Sequence, residues 1–236
     1  MRSHRLLVLG VVLAMFVVAW LTWRGFSSRD FSSRPQLRNA LAPTINKQPV
    51  VVANHTFDPS APPADMPPLV PGEIAACDSN FVSLANVAGE SLRSDATHAT
   101  VTITKINVTL QLVINIWLPI GATEKVIEHE GGHRQISEYY YQTADTLAQR
   151  IATKYLGRRV EITGADLNAE SSKMLEQLAR EVTHDYNQEL SPGPTQLLYD
   201  DITDHGRNDV VVQDAVAHAI KNVTIESPQP TTNPAN

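Results

Sequence analysis

The stretch His129-Glu130-Gly131-Gly132-His133 carries the densest chemistry in this 236-residue chain. Residues four apart on a helix are offset by about 40° and 6 Å, so two imidazoles at that spacing converge on one ion. Glu130 lies about 100° around the helix from His129, beside such an ion rather than on it. Zinc suits this donor set. It lowers the pKa of a bound water to roughly 7, and a neighbouring carboxylate then serves as general base. The bare pattern arises by chance in about one chain of this composition in seventy, so its context matters. The five residues fall inside a strong helical pattern directly after a strand pattern. Each central glycine costs that helix roughly 1 kcal/mol relative to alanine, and close approach of another group is a reason to keep them.

Two histidines leave a zinc site incomplete, because a third protein ligand is needed. Glu138 is half a turn away from His129 on the helical wheel and cannot close the same site. The remaining candidates lie downstream: Glu176, Glu181, His184 and Asp185 in a helical stretch, and Asp200, Asp201, Asp204 and His205 in the segment Tyr199–Gly206. Spacing does not choose among them. His218 sits on a short amphipathic stretch as a solvated residue, and His4, His55 and His98 have no partner pattern.

The frame that must hold these groups is legible in outline. Val101 and Ile103 alternate with threonine. Ile106, Val108, Leu110, Leu112, Ile114, Ile116 and Leu118 then alternate with mostly polar neighbours, which is strand periodicity with a phase slip at Lys105–Ile106. Pro119-Ile-Gly121 ends it. One helix is expected from near Thr123 through Tyr155, with Gly157 as its cap. A second, capped by Thr163 and Asp166, carries Leu167, Met174, Leu175, Leu178, Val182 and Tyr186 until Ser191-Pro-Gly-Pro194 stops it. A short last helix uses Val211, Val212, Ala215, Val216, Ala219 and Ile220.

The stretch Leu118–Glu138, with its strand ending in Leu-Pro followed by His-Glu-x-x-His and Ser-Glu, resembles a bacterial family of unknown function, predicted secreted zinc-dependent proteases. Gln196-Leu-Leu-Tyr-Asp-Asp-Ile-Thr-Asp-His-Gly206 resembles that family's Tyr-Asp-x-x-Thr-x-His-Gly element, in the expected order. The resemblance covers roughly residues 108–220. It implies His129 and His133 as zinc ligands, Glu130 as the base and His205 as the third ligand. The fold then expected is α+β and zincin-like, a small antiparallel sheet packed on a long metal helix and further helices.

The rest of the chain sets the location. Leu6 to Trp23 is an apolar run of 18 residues with Arg2, His4 and Arg5 before it and Arg24 after it. That length nearly spans the ~30 Å hydrocarbon core, and it ends in tryptophan where a cleavage site needs small residues. The expected organisation is a cationic segment (1–5), a transmembrane signal anchor (6–23), a Pro-rich flexible tether (24–72) with a short strand at Pro49–Ala53, a zinc-dependent peptidase-like domain (73–225) and a disordered tail (226–236). The expected location is the inner membrane, single-pass, with the domain extracytoplasmic or periplasmic, or secreted if the run is cleaved. Residues 73–225 hold 12 basic against 21 acidic side chains, which disfavours nucleic acid as a partner. The single cysteine, Cys77, excludes a disulfide scaffold.

Two functions fit. The first is a membrane-tethered zinc metallopeptidase acting on a peptide or protein, with Glu130 activating water and Tyr199 stabilising the oxyanion. In that reading the strand Ile106–Leu118, if it lies at a sheet edge, pairs with extended substrate. The second is a non-catalytic, zinc-stabilised envelope protein that binds or scaffolds. A structural zinc site has four protein ligands and no need of a neighbouring base, so Glu130 favours the enzyme.

Overall fold

The computed structural model of the protein describes residues 42–70 and 72–226. The expected anchor at 6–23, the first part of the tether and the tail from residue 227 lie outside the described residues. Among the described residues no helix is long and apolar enough to cross a membrane.

The spine is one strand. β4 (His98–Pro119) runs 22 residues and places Val101, Ile103, Ile106, Val108, Leu110, Leu112, Ile114 and Ile116 on its buried face. Thr100, Thr102, Asn107, Thr109, Gln111 and Asn115 occupy the other, half-buried face. The change of parity between Ile103 and Ile106 is a bulge. Opposite it, β3 (Ala76–Arg93) pairs Ala88 with Lys105 and Gly89 with Ile103, so Thr104 has no partner. Gly89 permits the close pairing there, since a Cβ would meet the Thr102 carbonyl oxygen at 2.7 Å. The β3–β4 turn is closed by Asp95, whose carboxylate accepts from the Thr97 backbone N–H at 2.7 Å.

β3 covers one edge of β4 along its length, antiparallel. Three short strands share the other edge end to end. These are β5 (Arg159–Thr163, antiparallel), β1 (Thr44–Lys47, parallel) and β2 (Val51–Phe57, parallel). Three expectations change here. The sheet is mixed, not antiparallel throughout, within an α+β fold. Residues 44–47 and 51–57 pair with β4 rather than lying in a flexible tether, β2 overlapping the short strand expected at Pro49–Ala53, and Phe57 is buried. The strand Ile106–Leu118 is central, so its hydrogen-bonding edges are taken and β3 supplies the sheet edge beside the helices.

The helices cover the apolar face. The single long helix expected from Thr123 is two: α1 (Glu124–Gln142) and α2 (Ala144–Thr153), broken at Thr143, where φ −102° and ψ 8° leave the helical region. The break lets Tyr141 turn into the sheet core, where its hydroxyl donates to the carbonyl oxygens of Gln48 and Leu110. α3 (Leu167–Glu189) starts at Asp166, whose carboxylate accepts from the Asn168 and Ala169 N–H groups as an N-cap should. Leu178, Val182 and Tyr186 of α3 join Ala148 and Ile151 of α2 over β4 in the main core. Each large apolar side chain so buried contributes roughly 1.5–3 kcal/mol. The Pro-Gly-Pro segment that ends α3 opens α4 (Gly193–Thr203), a helix absent from the sequence expectation, with Pro194 in its first turn. α5 (Val212–Glu226) closes a second, smaller core in which Ile136 of α1 and Tyr199 of α4 pack on Ala215, Val216 and Ala219. That small core fixes α4 against the helix that carries the two histidines.

Candidate metal centre

His129 and His133 sit one turn apart on α1, and their Nε2 atoms are 3.2 Å from each other. Asp200, on α4, brings Oδ1 to 3.4 Å from His129 Nε2 and 2.9 Å from His133 Nε2. Metal–ligand bonds of 2.0–2.1 Å at tetrahedral angles place neighbouring ligands roughly 3.3 Å apart. The three separations therefore match the spacing of three ligands on one face of a tetrahedral site.

The remaining nitrogens of both rings have partners. His133 Nδ1 faces Gln196 Oε1 at 2.7 Å, and Gln196 Nε2 donates to the His133 carbonyl oxygen and to Ser137 Oγ. His129 Nδ1 faces Thr203 Oγ1 at 3.3 Å, while the Thr203 hydroxyl donates to the Tyr199 carbonyl oxygen. Both Nδ1 atoms thus hold the ring protons, and both Nε2 lone pairs turn inward. Asp200 is 9 % exposed, and its Oδ1 is buried without a hydrogen-bond partner. Two lone pairs and an orphaned carboxylate oxygen converging in a buried place are a donor set for a cation, and the residues present fit the expected metal.

Charge follows from this arrangement. Burial opposes ionisation of Asp200, yet its contacts with His129 and His133 prevail and hold its carboxyl well below the usual range. Burial also works against a charged His133, but Asp200 outweighs it and the ring is pushed up. Glu130 is buried beside the triad. Burial, then the negative Glu73 and Asp200, raise its carboxyl to about 7 against the opposing effect of His133. A cleft of about 390 Å³ opens over these groups, with Glu130, His133 and Asp200 on its floor and Pro67, Val70 and Cys77 on its walls. Burial, then the Glu130 charge, push the Cys77 thiol up to about 12, so it stays protonated in the metal-free protein.

The structure brings together His129, Glu130 and His133 as expected and departs at the third position. Asp200 stands where the resemblance put His205, and the ring nitrogens of His205 stay outside the set of atoms within 4.8 Å of one another. Ligands of one zinc ion lie at most about 4.1 Å apart, twice a bond length. His205 instead joins Glu73 and Asp200, with Nδ1 3.4 Å from Glu73 Oε1 and 3.9 Å from Asp200 Oδ1. The physical reason is helical. Asp200 is inside α4, one turn from Gln196 and Thr203, so all three point at α1, whereas His205 lies past the end of that helix. The other candidates are engaged elsewhere. Glu176 pairs with Arg180, Glu181 accepts from Gln177, Asp185 accepts from Tyr155, and Asp204 pairs with Arg207. His184 and Asp201 are exposed.

Tyr199 also departs from its expected part. It is fully buried, stacks on His129 at 5.2 Å between ring centroids, and donates its hydroxyl to the His129 carbonyl oxygen. It props the metal helix from beneath and does not face the cleft. Gln196, Thr203 and Glu73 were not singled out from the sequence. The first two carried a signal, the spacing of i, i+4 and i+7 with Asp200 at i+4 on one amphipathic helix. Glu73 carried none. No family model, curated protein or solved structure matches this chain.

Proposed function

We propose that the protein is a zinc-dependent peptidase that hydrolyses extended polypeptide, with His129, His133 and Asp200 holding the ion and Glu130 as the general base. The observation that carries this reading is the buried Glu130 beside a three-ligand set that leaves one tetrahedral position for water or substrate. A zinc ion held there supplies Lewis-acid polarisation and brings the pKa of a bound water to roughly 7. Glu130 takes a proton from the attacking water and passes it to the departing amine, so the peptide gains one water across the broken bond. Gln196 and Thr203 keep the two rings in the tautomer that faces the ion.

The substrate class follows from the sheet. The Ala85 N–H of β3 donates to Thr183 Oγ1 of α3, away from β4. By strand alternation the backbone groups of Cys77, Ser79 and Phe81 point the same way, and these residues line the cleft. Extended peptide added along this edge passes the metal set, a recurring mode of peptide recognition. The resemblance of residues 108–220 to secreted zinc-dependent proteases agrees, as does an N-terminal anchor that holds the domain outside the inner membrane. Both are part of the proposal.

The test uses the zinc-loaded full chain and an internally quenched peptide library. Cleavage is expected, and Glu130→Gln should lower it at least about 10²-fold with zinc still near one equivalent. Stoichiometric zinc with no cleavage by either chain would instead select a metal-stabilised binding protein.

A further inference from the structure

We propose that His205 is the hydrogen-bond donor that stabilises the oxyanion of this hydrolysis, and that Glu73 holds its place until substrate enters. The proposal rests on the peptidase reading. Peptide hydrolysis places negative charge on the former carbonyl oxygen, and a preorganised donor beside the metal lowers that barrier. Tyr199, the tyrosine nearest the centre in sequence, is spent on the His129 carbonyl oxygen under the helix. The Gln196 amide and the hydroxyls of Ser137 and Thr203 are committed within the site.

His205 lies in the left-handed turn that ends α4. Asp204 at φ 48°, His205 at φ 51° and Gly206 at φ 76° form three successive left-handed residues, the first two with side chains. That region is costly for any residue with a Cβ, and such outliers gather at functional sites. Gly206 makes the turn pass close to the metal helix, since a Cβ there would lie 3.0 Å from His129 Cβ. The turn delivers the imidazole to the margin of the metal set, with Nδ1 3.9 Å from Asp200 Oδ1 and buried without a hydrogen-bond partner. Carboxylate oxygens of both Glu73 and Asp200 face this atom, and both are acceptors, so Nδ1 carries the ring proton.

Glu73 occupies the place a substrate oxygen needs. Its Oε1 lies 3.4 Å from His205 Nδ1 without hydrogen-bond geometry, and its side chain lines the cleft with Pro67, Pro68 and Val70 of the same segment. An incoming carbonyl oxygen displaces that carboxylate, and the charge that develops on it makes it the stronger acceptor for Nδ1–H.

The experiment compares the full chain, zinc-loaded, with His205→Ala, His205→Gln and Glu73→Gln on the same quenched peptides. His205→Ala should lower kcat about 10²- to 10³-fold, with KM within about threefold and zinc at one equivalent. His205→Gln, which restores an N–H donor, should recover at least about tenfold of that loss. Glu73→Gln, whose neutral amide is a weaker acceptor for substrate to displace, should keep zinc at one equivalent and lower KM at least about threefold. Loss of zinc in both His205 variants would make His205 a ligand and overturn the assignment, as would full activity in His205→Ala. An unchanged or raised KM in Glu73→Gln would overturn the placeholder role. A wild-type chain that binds zinc and cleaves nothing removes the peptidase reading and this assignment together, whereas an active wild type with an equally active His205→Ala removes this assignment alone.

Discussion

Because Gln196 and Thr203 take up the outer nitrogens of His133 and His129, both inner nitrogens face Asp200 Oδ1, and a cation is the partner that satisfies all three. Asp200→Asn keeps the shape but replaces a charged ligand with a weak one. Zinc affinity should fall more than about 100-fold, and Gln196→Ala, which frees the His133 ring, should cost 10- to 100-fold. Competition against a chromophoric chelator measures both. Unchanged affinity in Asp200→Asn together with loss in His205→Ala would return His205 to the ligand set. Glu130 gives a second test through pH. Its carboxyl is raised from 4.5 to about 7, so the folded metal-free protein keeps a proton between those values that the unfolded chain has lost. Stability contributed by the protonated form is therefore lost as pH rises through this window. Metal-free Glu130→Gln should match wild type near pH 4 and exceed it near pH 8, by at most about 3 kcal/mol. Urea unfolding in chelator at the two pH values decides it, and an equal gap at both would mean Glu130 is not held in dry surroundings.

Two adjacent glycines in α1 look alike in sequence and differ in the fold. A Cβ on Gly132 would overlap the Tyr199 hydroxyl, whereas one on Gly131 meets nothing within 4 Å. Gly132 is the place where the Tyr199 ring of α4 lies against the backbone of the metal helix. Gly132→Ala should therefore destabilise by about 2 kcal/mol or more, since overpacking exceeds the gain in helix propensity, and should weaken zinc binding by separating Asp200 from the histidines. Gly131→Ala should stabilise by about 0.5–1 kcal/mol and leave zinc affinity unchanged. Thermal melts with and without zinc separate the two. If both behave alike, the α1–α4 contact is not as close as described. The sequence justified the pair jointly, as a cost that needed a reason, but which glycine answers to that reason depends on a tyrosine on another helix.

The molecule as a whole hangs on β4, which has partners on both edges and helices on one face. A chain starting at residue 73 lacks β1 and β2, which leaves the stretch from Asn107 to Pro119 open along one edge. Unpaired edges of that length invite association. Such a chain should aggregate, while one starting at residue 42 should elute as a folded species with a cooperative melt. Size-exclusion chromatography and circular dichroism compare them, and a soluble, cooperatively melting chain from residue 73 would show that β1 and β2 are dispensable. Composition hid β1, because prolines at 43 and 49 flank it and make it look like linker. Strands as short as β1 carry little periodicity of their own and are selected by the edge they meet.

The sequence by itself determined what local rules govern. The phase slip of β4 showed as a change of parity at Ile103–Ile106. The cap at Asp166 and the stop at Ser191-Pro-Gly-Pro194 bounded α3, and His129, Glu130 and His133 share one helix face because 3.6 residues per turn puts them there. The helix break at Thr143 was not visible, since the apolar pattern runs on through Tyr155, and it is the sheet core receiving Tyr141 that bends the chain. The choice of Asp200 over its neighbours was likewise beyond spacing. It is made by the small core of Ile136, Tyr199, Val216 and Ala219, which sets the rotation of α4 against α1 and turns Asp200, rather than Asp201, toward the histidines. Glu73 enters the site from a segment remote in sequence, and contact across such a distance is decided only when the whole chain has packed.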